Sequence, residues 1–242
     1  MPDRSWLAMK RLDHIPAMIL VGGLGTRLRA VLPDHQKVVA PVAGRPFVFR
    51  LLDQLANAQV SRVVLCTGYK AEQVAGLVGD KYQGLRISYS SEPAPLGTAG
   101  ALRHALPLVD SDTVLAMNGD SFCEVDLAAM WESHRQRQAN ATLAVVETSE
   151  TRASGRVTFD ETDAITSFVE KGSRPSAGWI NAGIYLLQRR VLESISPGRA
   201  VSIEREVFPA WIGRGLYAFR TAGKLLDIGT PEAYTVAQQA FP

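Results

Sequence analysis

Uninterrupted apolar runs alternate with stretches whose apolar residues recur every three to four positions, and this alternation continues through the first half of the chain. Residues 18–21, Met-Ile-Leu-Val, carry no polar interruption, as a strand buried on both faces requires. Residues 46–58 follow with Phe47, Leu51, Leu52 and Leu55 spaced for one helical face. Pro46 lies near the first turn of that helix, where its missing N–H costs nothing. The same reading predicts a strand at 63–66, a short helix at 71–78, a strand at 87–90, a helix at 98–106 and a strand at 113–117. Strands separated by helical patterns point to a sheet with helices on both faces.

After a helix at 127–138 the pattern changes, and 142–147, 156–159, 165–170 and 180–187 read as strands. A helix at 202–212, begun by Ser202 as its cap, and a last helix at 231–239 close the chain. Pro231 opens the latter and Thr230 can cap it. The fold class expected is α/β: a Rossmann-like three-layer α/β/α fold with a mixed, mostly parallel central sheet. No linker, repeat or low-complexity stretch divides residues 15–242, which are expected to form a single domain. Residues 1–14 are polar with a lone Trp6, and read as a loose N-terminal extension or packing arm.

The first strand runs into Leu20-Val21-Gly22-Gly23-Leu24-Gly25-Thr26-Arg27-Leu28. Glycines at a strand end let backbone N–H groups approach an anion, because no Cβ blocks the way. Arg27 and Lys37 add positive charge where phosphates would lie. The spacing is not a dinucleotide fingerprint, whose third glycine would fall at Leu28, and no Gly-Lys-Ser/Thr closes a Walker loop. The alternative reading of the glycines alone is a tight turn. Together with the two cations, they suit a nucleoside triphosphate.

Asp120 follows a buried strand and Asn118-Gly119, which places it at the carboxyl end of the sheet, where open α/β sheets have their crevice. A turn aspartate bonding its own backbone is the plainer alternative. Asp227, in Leu225-Leu226-Asp227-Ile228-Gly229-Thr230-Pro231, also ends an apolar run just before a helix. Mg²⁺ is commonly held by one or two carboxylates plus substrate phosphates, and two aspartates from distant segments would suit it. Gly97-Thr98 is a second glycine turn opening a helix, with Thr98 a possible cap. Trp179 could stack on a sugar or sit in the core or at its rim.

Composition narrows the partners. The 242 residues, 46% hydrophobic and 21% charged, suffice for a large core without staples. A net charge of +2 makes no case for nucleic acid or a membrane surface. The two cysteines, Cys66 and Cys123, read as free thiols, and the four histidines form no ligand cluster with them. No segment approaches a membrane span or a signal peptide, so the expected location is the cytoplasm.

The stretches Arg27-Leu28-Arg29, residues 40–47 from Ala40-Pro41-Val42 to Phe47, and Asn118-Gly119-Asp120-Ser121-Phe122 resemble the sugar-1-phosphate nucleotidyltransferases. So do Glu170-Lys171-Gly172, Asn181-Ala182-Gly183-Ile184-Tyr185 and Ser202-Ile203-Glu204-Arg205-Glu206. The resemblance covers 18–236 and is nearest to the D-glycero-α-D-manno-heptose 1-phosphate guanylyltransferases. It implies GMP transfer from GTP to a heptose 1-phosphate with Mg²⁺, or the same chemistry on mannose 1-phosphate, and permits a homodimer. The product would feed capsule, lipopolysaccharide or surface-layer glycans.

On this resemblance, residues 15–125 form the nucleotide-binding half and 126–242 the sugar-phosphate-binding half. Arg27, Lys37 and Asp120 act at the reacting groups. Leu20, Gly22, Gly23, Gly25, Thr26, Gly97, Thr98 and Asn118 face the nucleotide. Gly119, Glu170, Lys171, Asn181 and Gly183 face the sugar phosphate, and Asp120 and Asp227 hold the ion. A non-catalytic nucleotide-sugar-binding subunit would be expected to lose Lys37, Asp120 or Asp227, and all three are present.

Two departures stand out. Gln36-Lys37-Val38-Val39 replaces the family's usual Pro-Lys-Pro-Met, and loss of the proline is expected to leave the Lys37 loop freer. The chain also stops soon after Gln239, so the β-helix or acyltransferase domain of some relatives is not expected.

Overall fold

In the computed structural model, the described residues are 12–23, 25–28, 35–149, 155–170 and 177–241. Strand β1 (Ala17–Leu20) leads through the hairpin of β2 (Pro41–Val42) and β3 (Arg45–Pro46) into helix α1 (Phe47–Asn57). Then come β4 (Arg62–Thr67), α2 (Ala71–Val78), β5 (Lys81–Tyr82), β6 (Leu85–Ser91), α3 (Gly97–Ala105) and β7 (Thr113–Asn118). The order β6-β4-β1-β7 is parallel, and Leu20 lies opposite both Cys66 and Asn118. The carboxyl ends of the central strands therefore finish level, which makes one continuous crevice.

The second half contributes β8 (Ser121–Cys123), α4 (Leu127–Gln136), β9 (Ala141–Thr148), β10 (Gly155–Phe159), β11 (Ile165–Glu170) and the long β12 (Gly178–Gln188). Short helices α5 (Arg189–Glu193) and α6 (Phe208–Trp211), strands β13 (Leu216–Thr221) and β14 (Leu225–Asp227), and α7 (Pro231–Gln238) complete it. The end of β12 pairs antiparallel with β7, its start with β10, and β9 runs along its other edge. Strands from both halves thus share one ten-stranded mixed sheet with a parallel centre.

Alternating β1 side chains feed two cores. Ala17 and Ile19 join Phe47, Leu51, Met130 and Tyr234 on the face covered by α1, α4 and α7. Met18 joins Leu102, Leu192 and Phe208 on the face covered by α3, α5 and α6. Helix α1 forms because Phe47, Leu51 and Leu55 stack on one stripe, all fully buried. Each such side chain contributes about 1.5–3 kcal/mol on burial.

Three expectations need correction. Leu12, expected in the extension, is part of the packed domain: it is buried in the α1-side core and donates its N–H to Ala58. Residues 1–11 lie outside the described residues. The helix expected at 202–212 is a single π-helical turn, Ile203–Val207, followed by α6. Pro209 cannot donate to the preceding carbonyls and the wider turn absorbs the misfit, although Ser202 does cap it by accepting from Arg205 N–H. Strands β2, β3, β5, β8, β13 and β14 were not expected, all but β13 being too short to show a period.

His134 of α4 is buried. Its Nδ1 lies 2.9 Å from Thr142 Oγ1 and its Nε2 3.3 Å from the Gln188 amide nitrogen. That amide can only donate, so Nε2 accepts and the ring proton sits on Nδ1. Burial pushes the His134 pKa down from 6.5 to about 4. The unfolded chain therefore binds a proton that the folded one refuses, and stability present above pH 6.5 is lost as pH falls toward 4. The expected loss is roughly 3 kcal/mol. Denaturant titrations across that range should show the slope in wild type and lose it in His134→Gln. An equal slope in both would assign the acid sensitivity elsewhere.

Among the described residues, no helix is long and apolar enough to cross a membrane.

Candidate active site

A cavity of about 820 Å³ opens over the carboxyl ends of β1, β4, β6 and β7. Leu20, Gly22, Gly23, Arg27, Lys37, Asn118, Gly119 and Asp120 line it, as do Gly97, Thr98, Asn181, Gly183 and Asp227. Gly25 and Thr26 stand outside that lining, and Thr26 is exposed. Gly25 has positive φ, and a Cβ there would meet the Lys37 side chain. Strand β11 delivers Glu170 to its end. Lys171 lies outside the described residues.

Lys37 opens a 3-10 turn, Lys37–Val39, and is largely enclosed, its side chain 11% exposed. Its Nζ donates to Asp120 Oδ2 at 2.6 Å. Asp120 arrives from the β7–β8 turn, and its backbone carbonyl accepts from Ile228 N–H at 2.9 Å. That bond, with the pairing of β14 to β8, brings Asp227 beside Asp120 despite their distance in sequence. Gly229 makes the approach possible: a Cβ there would lie 2.6 Å from Asp227 Oδ1 and 3.1 Å from Lys37 Nζ.

Asp227 opens to the cavity but is surrounded by protein on its other sides. This burial, then the charge of Asp120, raises its pKa above the ordinary carboxylate range, against the pull of Lys37, the Gly229 N–H and Arg27. The two carboxylates thus face two cations, Lys37 and Arg27, which leaves none in excess for an incoming polyanion.

The glycines divide by what they let approach. Gly22 and Gly68 flank the Glu92 carboxylate, whose Oε1 would lie 2.8 and 2.7 Å from a Cβ on either. Glu92 Oε2 accepts from Leu96 N–H at 3.0 Å. Gly119 packs on the Leu20 carbonyl, where a Cβ would come within 2.3 Å. Gly97, at φ +69°, makes room for the Val201 backbone. Gly183, at φ +76° where β12 changes register, leaves space for the Ser121 and Asn118 side chains.

Several side chains are engaged differently from expectation. Thr98 does not cap α3. Its hydroxyl donates to Glu204 Oε2 at 2.9 Å and accepts from Ile203 N–H at 2.8 Å, stapling α3 to the π-helical turn. Asn181 lines the cavity while donating to the Tyr185 hydroxyl at 2.7 Å. Trp179 packs on Phe159 with Arg220 nearby, away from the cavity lining, so it is a rim residue. The sequence reading passed over Glu92 and Gly68, and named Glu204 and Gly229 only within longer stretches, without a role of their own. The available signals were a charged residue closing a parallel strand at Ser91-Glu92-Pro93, and glycines just after Thr67 and Ile228.

A family model described as nucleotidyl transferase matches residues 16–242. The chain is 40% identical over 225 residues to a mannose-1-phosphate guanylyltransferase of Mycobacterium tuberculosis, covering 91% of this chain and 63% of that protein. It is 36% identical over 224 residues to a D-glycero-alpha-D-manno-heptose 1-phosphate guanylyltransferase of Aneurinibacillus thermoaerophilus, covering 92% and 96%. The crystal structure of HddC from Yersinia pseudotuberculosis complexed with GMP-PN superposes with a TM-score of 0.83 at 31% identity, covering 94% of this chain and all of that one.

Proposed function

The chain belongs to the nucleotidyl transferase family, and from that premise we propose that it transfers GMP from GTP to D-glycero-α-D-manno-heptose 1-phosphate, releasing pyrophosphate. The observation that carries this reading is the meeting of Lys37, Asp120 and Asp227 beside a glycine-lined cavity. A phosphate oxygen of the sugar 1-phosphate attacks the α-phosphorus. The bond from that phosphorus to the β-phosphate bridging oxygen breaks, and pyrophosphate leaves with the electron pair. The attacking oxygen is already anionic at neutral pH, so no nucleophilic side chain is needed. Cys66, which lines the cavity, does not supply one, because burial pushes its thiol up to about 12.

The protein's work is positioning and charge neutralisation. Arg27 and Lys37 face the triphosphate. Asp120 and Asp227 would hold Mg²⁺, which when bound supplies charge neutralisation between the two phosphates. The donor set fits a hard cation, because the two neighbouring carboxylates supply oxygen ligands and leave coordination positions for phosphate oxygens and water. Glu170, Lys171 and Asn181 are assigned to the sugar phosphate.

Glu92 gives the base its place. It follows β6, three strand spacings from β7, roughly 14 Å across the sheet. A carboxylate in a polyanion's cavity must face the end of the ligand that carries donors. Guanine presents two adjacent ones, its ring N1–H and its exocyclic amine, to the lone pairs that the Glu92 oxygens keep beside the one accepting from Leu96 N–H. Glu92→Gln leaves one of those donors facing an amide N–H, so kcat/KM for GTP should fall roughly 10²-fold relative to other triphosphates. A change shared equally by all four triphosphates would remove Glu92 from base selection.

A second reading, mannose 1-phosphate as acceptor, is favoured by the 40% identity to the mycobacterial protein. Pyrophosphate release from four triphosphates against heptose, mannose and other sugar 1-phosphates, with Mg²⁺, separates the two. Turnover confined to GTP and the heptose phosphate supports the first reading. Preference for mannose phosphate replaces it with the second, and no turnover with any pair rejects both.

A further inference from the structure

We infer that Gln36 is a positioning residue for Lys37, its side-chain amide holding by hydrogen bonds the backbone shape that a proline ring would hold covalently. The inference rests on the role given to Lys37 above. Gln36 is buried at 2% exposure, unusual for an uncharged amide beside a cavity loop. Its Nε2 donates to the Val21 carbonyl at the end of β1. Its Oε1 accepts from Val38 N–H at 2.6 Å, which caps the 3-10 turn that Lys37 opens. Its backbone N–H donates to Gln73 Oε1 on α2 at 2.8 Å. One side chain thus ties the lysine's turn to the glycine loop, and the preceding backbone ties it to a helix.

The backbone carries the second half of the argument. Gln36 sits at φ −65° and ψ 134°, the value to which a proline ring locks φ, followed by extended ψ. Gln36 thus holds a backbone that proline would also adopt, and its amide supplies a restraint that the loss of proline alone would not suggest. With Val21 and Val38 both bonded to one buried side chain, Lys37 emerges at a set height below Asp120.

Gln36→Met keeps the bulk and removes both polar atoms, whereas Gln36→Pro fixes φ without them and also gives up the N–H donated to Gln73. Hydrogen exchange at Val39 and Ala40, whose N–H groups donate to the Gln36 and Lys37 carbonyls and keep those acceptors in every variant, needs no turnover. It should quicken about tenfold in Gln36→Met and return toward wild type in Gln36→Pro. In the same pair, kcat should fall roughly ten- to hundredfold in Gln36→Met with KM for the sugar phosphate little changed, and recover in Gln36→Pro. Should Gln36→Met fail to fold, Gln36→Glu, which loses only the donor to Val21, is compared with Gln36→Pro in the same way. Wild-type exchange in the Met or Glu variant overturns the inference. So does a proline variant no better than Met when both are compared in a Gln73→Ala background, where the N–H that proline lacks has no such partner to lose. An inactive wild-type enzyme would reject the proposed function while leaving the exchange comparison intact.

Discussion

Lys37→Ala should slow pyrophosphate release by roughly 10²–10³-fold, the loss that follows removal of one preorganised donor from an oxyanion site. The ammonium is held 2.6 Å from Asp120 Oδ2 and largely shielded from water, so its charge acts at short range and low screening. Alanine would leave Asp120 and Asp227 facing each other with Arg27 as the remaining cation of the set. Two effects then add: the triphosphate loses a partner, and the carboxylates repel it more strongly. Both act on kcat as well as KM, because negative charge builds on the departing pyrophosphate. Single-turnover rates at saturating GTP measure this directly. A rate within a few-fold of wild type would withdraw Lys37 from the chemistry.

Asp227→Asn should cost more, roughly 10³-fold or beyond, since it removes a charged ligand of the cation proposed to bridge the reactants. It should also weaken the apparent Mg²⁺ affinity by at least about tenfold. The pH dependence tests the same residue without catalysis. Burial and the neighbouring Asp120 raise the Asp227 pKa above its ordinary 3.8, so the folded protein holds that proton more tightly than the unfolded chain does. Its contribution to metal-free stability is therefore present at acid pH and lost as pH rises through the raised pKa. A cation binding the ionised pair reverses that loss. Mg²⁺ should raise the melting temperature at neutral pH, raise it progressively less on acidification, and do neither in Asp227→Asn. A Mg²⁺ effect unchanged by the substitution would place the ion elsewhere.

Much of the scaffold is legible in the sequence because its signals are local. The helix at Ala71–Val78 lies where its pattern predicts, and the α1 stripe and parallel strands fall within a few residues of expectation, since buried period and caps decide them. The same holds for Thr230, which caps α7 through Ala233 N–H as Thr230-Pro231 suggests. The glycine loop, Arg27, Lys37, Asp120 and Asp227 were recognisable as residue types suited to polyphosphate and metal.

Their arrangement was not legible in that way. Asp227 meets Asp120 through the three-residue pairing of β14 with β8, two segments far apart in sequence, and through a glycine whose value lies in what it does not touch. Thr98 spends its hydroxyl on Glu204, a partner from a distant turn that helical periodicity could not place. Gln36 looked like a lost restraint until Val21 and Val38 were seen bonded to it.

The sequence by itself determined which segments become strand and helix, and which side chains could carry charge to a phosphate, because propensity, period and pKa are properties of residues and near neighbours. Only the tertiary structure decided which carboxylates lie side by side, which glycines admit a neighbouring backbone and which polar groups are already spent. Those outcomes depend on distances of a few ångströms between segments far apart along the chain, and packing of the whole sheet sets them.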